Sequence, residues 1–311
     1  MSGEFSHVSV LLDECIEALN IRPDGIYVDG TLGAGGHSEK IAEGLTTGRL
    51  ISIDRDANAL AHAGERLARF GERVTLVKSN FDDIAGILDS LGIGGVDGML
   101  FDLGVSSPQL DDAARGFSYM EDAPLDMRMD PSAPLTAREV VNDWSEQELR
   151  RILRDYGEER YAARIAAGII KRRAKAPVET TLELVDIIRS AMPAAALREK
   201  QHPAKRSFQA IRIAVNDELG SIERMLAAAP DRLKPGGRLA VISFQSLEDR
   251  LVKTAIRKRE RGCTCPPDFP VCVCGFVQTL RQVGKPVEAG PEELERNPRA
   301  RSARLRVAER V

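Results

Sequence analysis

The chain has 311 residues, 43% apolar and 29% charged, a composition typical of a packed globular protein and unlike that of a disordered or fibrous one. No apolar stretch approaches the roughly 20 residues of a membrane-spanning helix, and the first residues do not resemble a signal peptide, so we predict a cytoplasmic protein. Residues 1–137 carry 10 basic and 23 acidic side chains and residues 138–311 carry 34 basic and 24 acidic ones, so the second part can contact phosphate.

The first hundred residues alternate between strand and helix patterns. After an amphipathic helix at about 11–19, we predict strands and helices in turn. The strands lie near 26–29, 49–53, 74–77 and 97–102, and the helices near 37–45, 57–70 and 83–90. This alternation is typical of an α/β protein with a parallel sheet. In such sheets, ligands bind beyond the carboxyl ends of the strands.

The first predicted strand leads into a glycine-rich loop, with four glycines within the seven residues 30–36. Glycine allows positive φ and lets a ligand approach the backbone closely. The second strand ends at Asp54, eighteen residues after Gly36, where a carboxylate can accept both ribose hydroxyls of an adenosine. Dinucleotide-binding enzymes and methyltransferases share these features, so the loop alone does not separate them.

The next two strands favour S-adenosylmethionine over NAD. The third strand is followed by Phe81, whose aromatic face could hold an adenine, and the fourth ends at Asp102. The remaining sequence lacks the second mononucleotide-binding half that a nicotinamide enzyme would need. Asp102, at the carboxyl end of its strand, is expected at the edge where such sheets bind ligands.

The alternation stops after the fourth strand. Helical patterns follow near 137–142, 146–155, 158–174, 181–191 and 194–200. Thr136 and Ser145 are predicted N-caps, because an acid three residues later completes a capping box in each case. We therefore predict a helical insertion over 109–205, lying above the carboxyl ends of the strands as a substrate-recognition domain.

The sheet pattern resumes after the insertion, with a helix near 205–229, a turn at 234–237 and a strand at 238–243. The segment 297–308 is predicted to be a basic loop that leads into an edge strand. The catalytic domain is thus expected to comprise residues 1–108 and 206–311.

Four strings carry a resemblance to a known family. They are 102–111 (DLGVSSPQLD), 115–118 (RGFS), 124–130 (PLDMRMD) and 243–250 (SFQSLEDR). On the basis of these strings, the chain resembles the MraW/RsmH family over nearly its whole length. Members of that family are S-adenosylmethionine-dependent methyltransferases that modify the N4 amino group of a cytidine in the decoding region of bacterial 16S ribosomal RNA. The resemblance implies a Rossmann-like class I methyltransferase sheet and an rRNA (cytosine-N4)-methyltransferase acting on the small ribosomal subunit.

The resemblance also implies which residues form the site. The implied cofactor-binding residues are Gly35, Gly36, His37, Asp54, Phe81, Asp102 and Gln109. Asp102 is in addition the candidate catalytic residue, and no metal is predicted in the site. The chain departs from the family at Gln245, where a histidine is usual. Glutamine cannot titrate near neutral pH, so a proton relay at this position is not expected.

Two other functions remain open on the sequence alone. The methyl acceptor could be DNA or protein, although DNA is not the expected partner. Alternatively, the chain could be a non-catalytic, RNA-binding ribosome assembly factor that retains the fold. The basic clusters at 171–175 and 257–261 fit solvated helix faces or RNA contacts, and an RNA substrate favours the second interpretation. The oligomeric state cannot be read from the chain.

Cysteines cluster late in the sequence, at Cys263, Cys265, Cys272 and Cys274. Four thiols in twelve residues could bind zinc, but structural zinc sites usually have two to four residues between paired ligands. Disulfides are not expected in the cytosol. The sequence therefore favours a reduced surface loop over a metal site.

Overall fold

The computed structural model of the protein describes residues 9–265 and 273–311. The chain divides into two compact units. Unit 1 comprises the residues up to Gly104 together with Leu219–Val311, and unit 2 comprises Val105–Glu218. Unit 2 is longer than the helical range 109–205 of the sequence analysis, because the helix that begins at Lys205 packs into its core.

Unit 1 contains a seven-stranded sheet in the order β3-β2-β1-β4-β5-β7-β6. The strands are β1 (Ile26–Asp29), β2 (Arg49–Asp54), β3 (Val74–Lys78), β4 (Val96–Asp102), β5 (Leu233–Ser243), β6 (Leu280–Glu288) and β7 (Arg304–Arg310). Strands β1 to β5 pair in parallel, whereas β7 is antiparallel to both β5 and β6. The sheet confirms the predicted Rossmann-like class I methyltransferase fold.

The helices of unit 1 cover both faces of this sheet, as expected when parallel strands are joined by crossover helices. They are α1 (Leu12–Leu19), α2 (Gly36–Glu43), α3 (Ala57–Leu67), α4 (Ile84–Ser90), α11 (Glu218–Ala228), α12 (Ser246–Arg261) and α13 (Pro291–Arg296). Side chains alternate between the two faces of a strand. In β4, Met99 and Phe101 therefore enter one apolar cluster and Leu100 enters another. Both clusters hold the strand ends in place.

Unit 2 is built from helices around its own apolar core, which includes Val140, Ile152, Ile165 and Ile188. The helices are α5 (Ser107–Asp111), α6 (Ala137–Asp143), α7 (Glu146–Asp155), α8 (Ala162–Arg173), α9 (Thr181–Ala191) and α10 (Lys205–Asn216). The predicted helix at 194–200 is a short 3-10 turn, Ala196–Arg198.

The two predicted capping boxes are confirmed. The main-chain N–H of Thr136 donates to Glu139 Oε2 at 2.9 Å, and that of Ser145 donates to Glu148 Oε2 at 2.8 Å. Each bond satisfies a donor at the start of a helix, so α6 and α7 begin where the sequence places them.

The single helix predicted near 205–229 is wrong. Helix α10 ends at Asn216, Asp217 adopts a left-handed conformation with φ 47°, and α11 starts at Glu218. The buried Asn216 accepts the N–H of Met129 and donates to the carbonyl of Met127, each at 2.7 Å. This long-range anchoring fixes the break at an aspartate, which tolerates positive φ better than most residues.

The prediction of an edge strand at 297–308 is also wrong. Strand β7 lies between β5 and β6, and β6 forms the edge. No strand was predicted at β6, because Gly284 and Pro286 interrupt its pattern, although proline is tolerated on an edge strand. The predicted turn at 234–237 lies inside β5, opposite a register shift between Val96 and Gly98 of β4.

In the ranges that the structure covers, no helix has the length and apolar character needed to cross a bilayer.

Candidate active site

The loop between β1 and α2 is held by Asp29, the last residue of β1. Its buried carboxylate accepts the N–H of Thr31 at 3.1 Å and the hydroxyl of Ser38 at 2.7 Å. Burial raises the pKa of Asp29. Asp29 thereby ties the start of the glycine-rich loop to the first turn of α2, a contact that the sequence analysis did not foresee.

Two of the loop glycines have backbone conformations that other residues rarely adopt, with φ 51° at Gly33 and φ 81° at Gly35. At Gly36 the limit is space, since a Cβ there would lie 2.1 Å from Ser9 Oγ. The loop therefore exposes its main chain on a path that side chains would block or strain, which is the property that a nucleotide-binding loop needs.

Asp54 fixes the loop from the end of β2. Its Oδ2 accepts the N–H of Gly33 and its Oδ1 accepts the N–H of Asp56, both at 2.9 Å. Burial raises the pKa of Asp54. Each carboxylate oxygen has a second lone pair, so this arrangement leaves room for a further donor such as a ribose hydroxyl.

Phe81 lies directly after β3 and is half-buried. Its ring meets that of Phe101 edge-on, with centroids 5.8 Å apart and an interplanar angle of 67°. The guanidinium carbon of Arg55 lies 6.0 Å from the centroid of the Phe81 ring. Because Arg55 directly follows β2, this contact places the Phe81 ring near the carboxyl end of that strand.

Asp102, at the end of β4, is a neighbour of His37 on α2. The His37 Nδ1 lies 3.9 Å from Asp102 Oδ2, and its Nε2 donates to the carbonyl of Val10 at 3.0 Å. The N–H of Asp102 donates to Thr31 Oγ1 at 2.6 Å. The structure thus brings together the ends of β1 and β4 and the start of α2, which carry three of the predicted site residues, Gly36, His37 and Asp102.

The Asp102 carboxyl has an unusual electrostatic environment. A quarter of its side chain is exposed, but its Oδ1 is buried and has no hydrogen-bond partner within the described ranges. Removal from water raises its pKa to about 8, and the negative charges of Asp29 and Glu248 act in the same direction. Near neutral pH the carboxyl is therefore mostly protonated, and a cation at this position would favour its ionised form.

Glu248 belongs to the SFQSLEDR string, which begins at the end of β5. Ile242 of β5 is opposite Asp102 in the sheet register. The buried Glu248 accepts the N–H groups of Phe244 at 2.8 Å and Gln245 at 3.2 Å, which caps α12. Gln245 Oε1 is buried without a hydrogen-bond partner in the described structure. The sequence identified this string as a signature, but the sheet pairing makes Glu248 a charged neighbour of Asp102.

Gln109 is the one predicted cofactor-binding residue that belongs to unit 2. It is buried, and its Oε1 accepts the main-chain N–H of Ser106 at 3.1 Å, at the start of α5. The other predicted residues lie in unit 1, at or just beyond the carboxyl ends of β1 to β4. In that unit, Asp29, Thr31 and Glu248 complete the site. Asp29 could have been identified from the sequence, because it is an acidic residue at the end of an apolar strand.

Comparison with known proteins gives consistent results. The model of the MraW methylase family matches residues 4–311. The chain is 58% identical to a ribosomal RNA small subunit methyltransferase H of Heliobacterium modesticaldum, over 99% of both chains. It is 57% identical to the enzyme of that name from Symbiobacterium thermophilum, over 97% of this chain and 96% of the other. An rRNA methylase structure from Streptococcus thermophilus covers 98% of this chain and 99% of that chain at 14% identity, with a TM-score of 0.42, too weak a likeness to argue from.

Proposed function

This chain belongs to the MraW methylase family of S-adenosylmethionine-dependent methyltransferases, and we propose that it methylates the N4 amino group of a cytidine in the decoding region of 16S ribosomal RNA. Relatives that are 54–58% identical over nearly the full length are named ribosomal RNA small subunit methyltransferase H. Those names support ribosomal RNA of the small subunit as the substrate. The choice of N4 and of the decoding region rests on the four family strings.

The geometry around Asp102 is the observation that carries the proposal of a catalytic role. S-adenosylmethionine supplies an electrophilic methyl group on a positively charged sulfur. The negative charges of Asp29 and Glu248 act on Asp102 at the end of β4, and the buried Asp102 Oδ1 offers a hydrogen-bond acceptor. These features fit the binding of a cation beside an amine donor.

The other cofactor contacts follow from the same geometry. We assign the main chain of Gly35 and Gly36, with His37, to the loop that receives the cofactor, and Asp54 to its ribose hydroxyls. Phe81 offers an aromatic face for the adenine. Gln109 is carried over by the family resemblance as a further cofactor contact.

Asp102 is assigned the role of proton acceptor for the reacting amine. The lone pair of a cytidine amino group is delocalised into the ring, so an oxygen that accepts its N–H bond helps the nitrogen to react. The positive charge of the bound cofactor favours the ionised carboxylate, which can then receive the proton that the nitrogen loses after methylation. Glutamine at position 245 cannot take that proton at neutral pH.

We assign recognition of the substrate to unit 2, which begins three residues after Asp102. On α8 and just beyond it, Lys171 and Lys175 are exposed. Arg172 instead binds Glu183 at 3.2 Å, and Arg173 donates to the carbonyl of Val141 at 2.8 Å. The basic cluster is therefore partly structural, and its exposed lysines are the candidates for contact with RNA phosphate.

A second basic surface lies on α12 of unit 1. Lys253, Arg257 and Lys258 are exposed. The neighbouring Arg259 instead pairs with Asp231 at 2.7 Å. Helical RNA conceals most base edges, so a reaction on one amino group requires an unpaired or extruded base. An assembled small subunit is accordingly the expected substrate.

The test is transfer of tritiated methyl from S-adenosylmethionine to small subunits from a strain that lacks this gene, followed by nucleoside analysis. We expect label in N4-methylated cytidine, and loss of that label with the Asp102→Asn variant. Label in protein or DNA would support methyltransferase activity but contradict the proposed RNA substrate. Cofactor binding with no labelled product would favour the non-catalytic assembly factor.

The α12 surface gives a separate prediction. Arg257→Glu/Lys258→Glu is expected to weaken binding to small subunits about 10- to 100-fold and to reduce the salt dependence of binding, because fewer counterions are released. The measurement is filter binding at several salt concentrations. The matched control is Lys40→Glu/Arg49→Glu, which reverses two exposed charges in the acidic part of the chain. Equal losses in both variants would contradict a specific RNA contact on α12.

A further inference from the structure

Three thiols converge in the segment that joins α12 to β6. The Sγ atoms of Cys263, Cys265 and Cys274 all lie within 4.8 Å of one another. Those of Cys263 and Cys274 are 3.6 Å apart, although eleven residues separate them in the chain. Cys272 lies outside the described residues. The three described thiols already form a cluster that no step of methyl transfer requires.

The ends of the segment are held by the fold. The N–H of Thr279 donates to the carbonyl of Arg259 at 3.1 Å. The Phe276 ring packs so closely on Gly262 that a Cβ there would lie 2.8 Å from it. These contacts bring the residues before Cys263 next to those after Cys274. The convergence of the thiols is therefore a consequence of how the last turn of α12 meets the start of β6.

The main chain near the thiols also contacts sulfur. The N–H of Val273 donates to Cys265 Sγ at 3.3 Å. Gly275, directly after Cys274, has φ 68°, which lets the chain turn tightly there. A tight turn next to a cysteine and an amide that points at sulfur both suit a metal-thiolate centre.

We propose that Cys263, Cys265 and Cys274 bind a zinc ion. A tetrahedral zinc site with Zn–S bonds of about 2.3 Å has sulfur atoms roughly 3.8 Å apart, which the observed separations approach. Each thiol that binds the metal releases its proton to solvent. The narrow spacing within each Cys-x-Cys pair argued against zinc in the sequence. In the structure, however, Cys274 of the second pair lies beside Cys263 and Cys265 of the first. The ion would act as a structural clamp on the connection between α12 and β6.

The test uses the full-length protein without an affinity tag, purified under reducing conditions. Bound zinc is measured by mass spectrometry of the metal, and Co²⁺ is added to metal-stripped protein as a spectroscopic probe. We expect one zinc per chain and a thiolate-to-cobalt charge-transfer band. The triple variant Cys263→Ser/Cys265→Ser/Cys274→Ser should lose both, with zinc affinity reduced at least about 100-fold. Cys15→Ala, which removes a buried thiol in the core of unit 1, should keep both.

Three results would overturn the proposal. They are a wild-type protein that takes up neither zinc nor cobalt, a triple variant that binds zinc as tightly as the wild type, and a Cys263–Cys274 disulfide that persists in reduced cell extracts. Circular dichroism of the triple variant verifies that it is folded. Because the thiols are wholly or partly exposed, serine at these positions should leave the apolar cores intact.

Discussion

Replacing Asp102 with asparagine is expected to lower kcat/KM for methyl transfer about 10²- to 10⁴-fold, the usual cost of losing a positioned proton acceptor. Asparagine keeps the size of the side chain and can still accept a hydrogen bond, but it can neither hold a negative charge nor take a proton. The measurement is initial rates on small subunits at saturating cofactor. A variant that retains nearly full kcat/KM would contradict the proposed role of Asp102 as proton acceptor.

The same variant is expected to be more stable than the wild type at alkaline pH. The folded-state pKa of Asp102 is about 8, raised from 3.8, so the folded protein holds this proton more tightly than the unfolded chain. The contribution of Asp102 to stability is therefore greatest below about pH 4 and falls as the pH rises towards 8, where ionisation in a buried position costs a few kcal/mol. Asparagine carries no charge and avoids this loss.

Thermal unfolding of the cofactor-free proteins at pH 5 and pH 8.5 separates the two effects of Asp102. We expect Asp102→Asn to exceed the wild type by about 2–4 kcal/mol at pH 8.5 and by much less at pH 5. Equal differences at both pH values would contradict the raised pKa. Since a bound cation favours the carboxylate, cofactor affinity of the wild type should also rise towards pH 8, and that of the variant should not.

Replacing Gly30 with alanine is expected to reduce the free energy of unfolding by about 2–3 kcal/mol. A Cβ on Gly30 would lie 2.3 Å from Cε1 and 2.4 Å from Cδ1 of the Phe101 ring, which is fully buried. The ring cannot move freely, because it packs on Phe81 and precedes Asp102 in β4. Cofactor affinity should therefore fall together with stability. Urea unfolding and cofactor titration measure the two effects.

The control for Gly30→Ala is Gly94→Ala. Gly94 is exposed, and an added Cβ there meets nothing within 4 Å, so its effect should stay within about 0.5 kcal/mol. A double variant, Gly30→Ala/Phe101→Leu, should lose less stability than the sum of the two single variants, because the smaller side chain relieves the overlap. Strict additivity would show that the overlap with Phe101 is not the cause.

The sequence predicted the local elements of the sheet closely. Strands β1 to β4 lie within a residue or two of the predicted ranges, and the boxes at Thr136 and Ser145 start their helices as expected. Such features depend on periodicity and on contacts three or four residues apart, which can be read from the chain. The glycine loop and the acid at the end of β2 were also identified from the local sequence.

Features that depend on distant neighbours were missed. The helix break at Asp217 directly follows Asn216, whose side-chain amide donates to the carbonyl of Met127. The position of β7 inside the sheet depends on β6, whose own pattern is weak. Local propensity cannot report either fact, because tertiary contacts determine which of several permitted conformations is adopted.

The sequence by itself determined the fold class, the family and the identity of most residues expected to bind the cofactor. Only the tertiary structure decided how those residues act on one another. It buried the Asp102 carboxyl, which raises its pKa, and placed Glu248, far along the chain, close enough to add to that effect. It also brought Cys263 next to Cys274. The physical reason is that charge effects and metal coordination depend on distances in space. Those distances are fixed when the sheet and its connections pack, and are not written in the spacing along the chain.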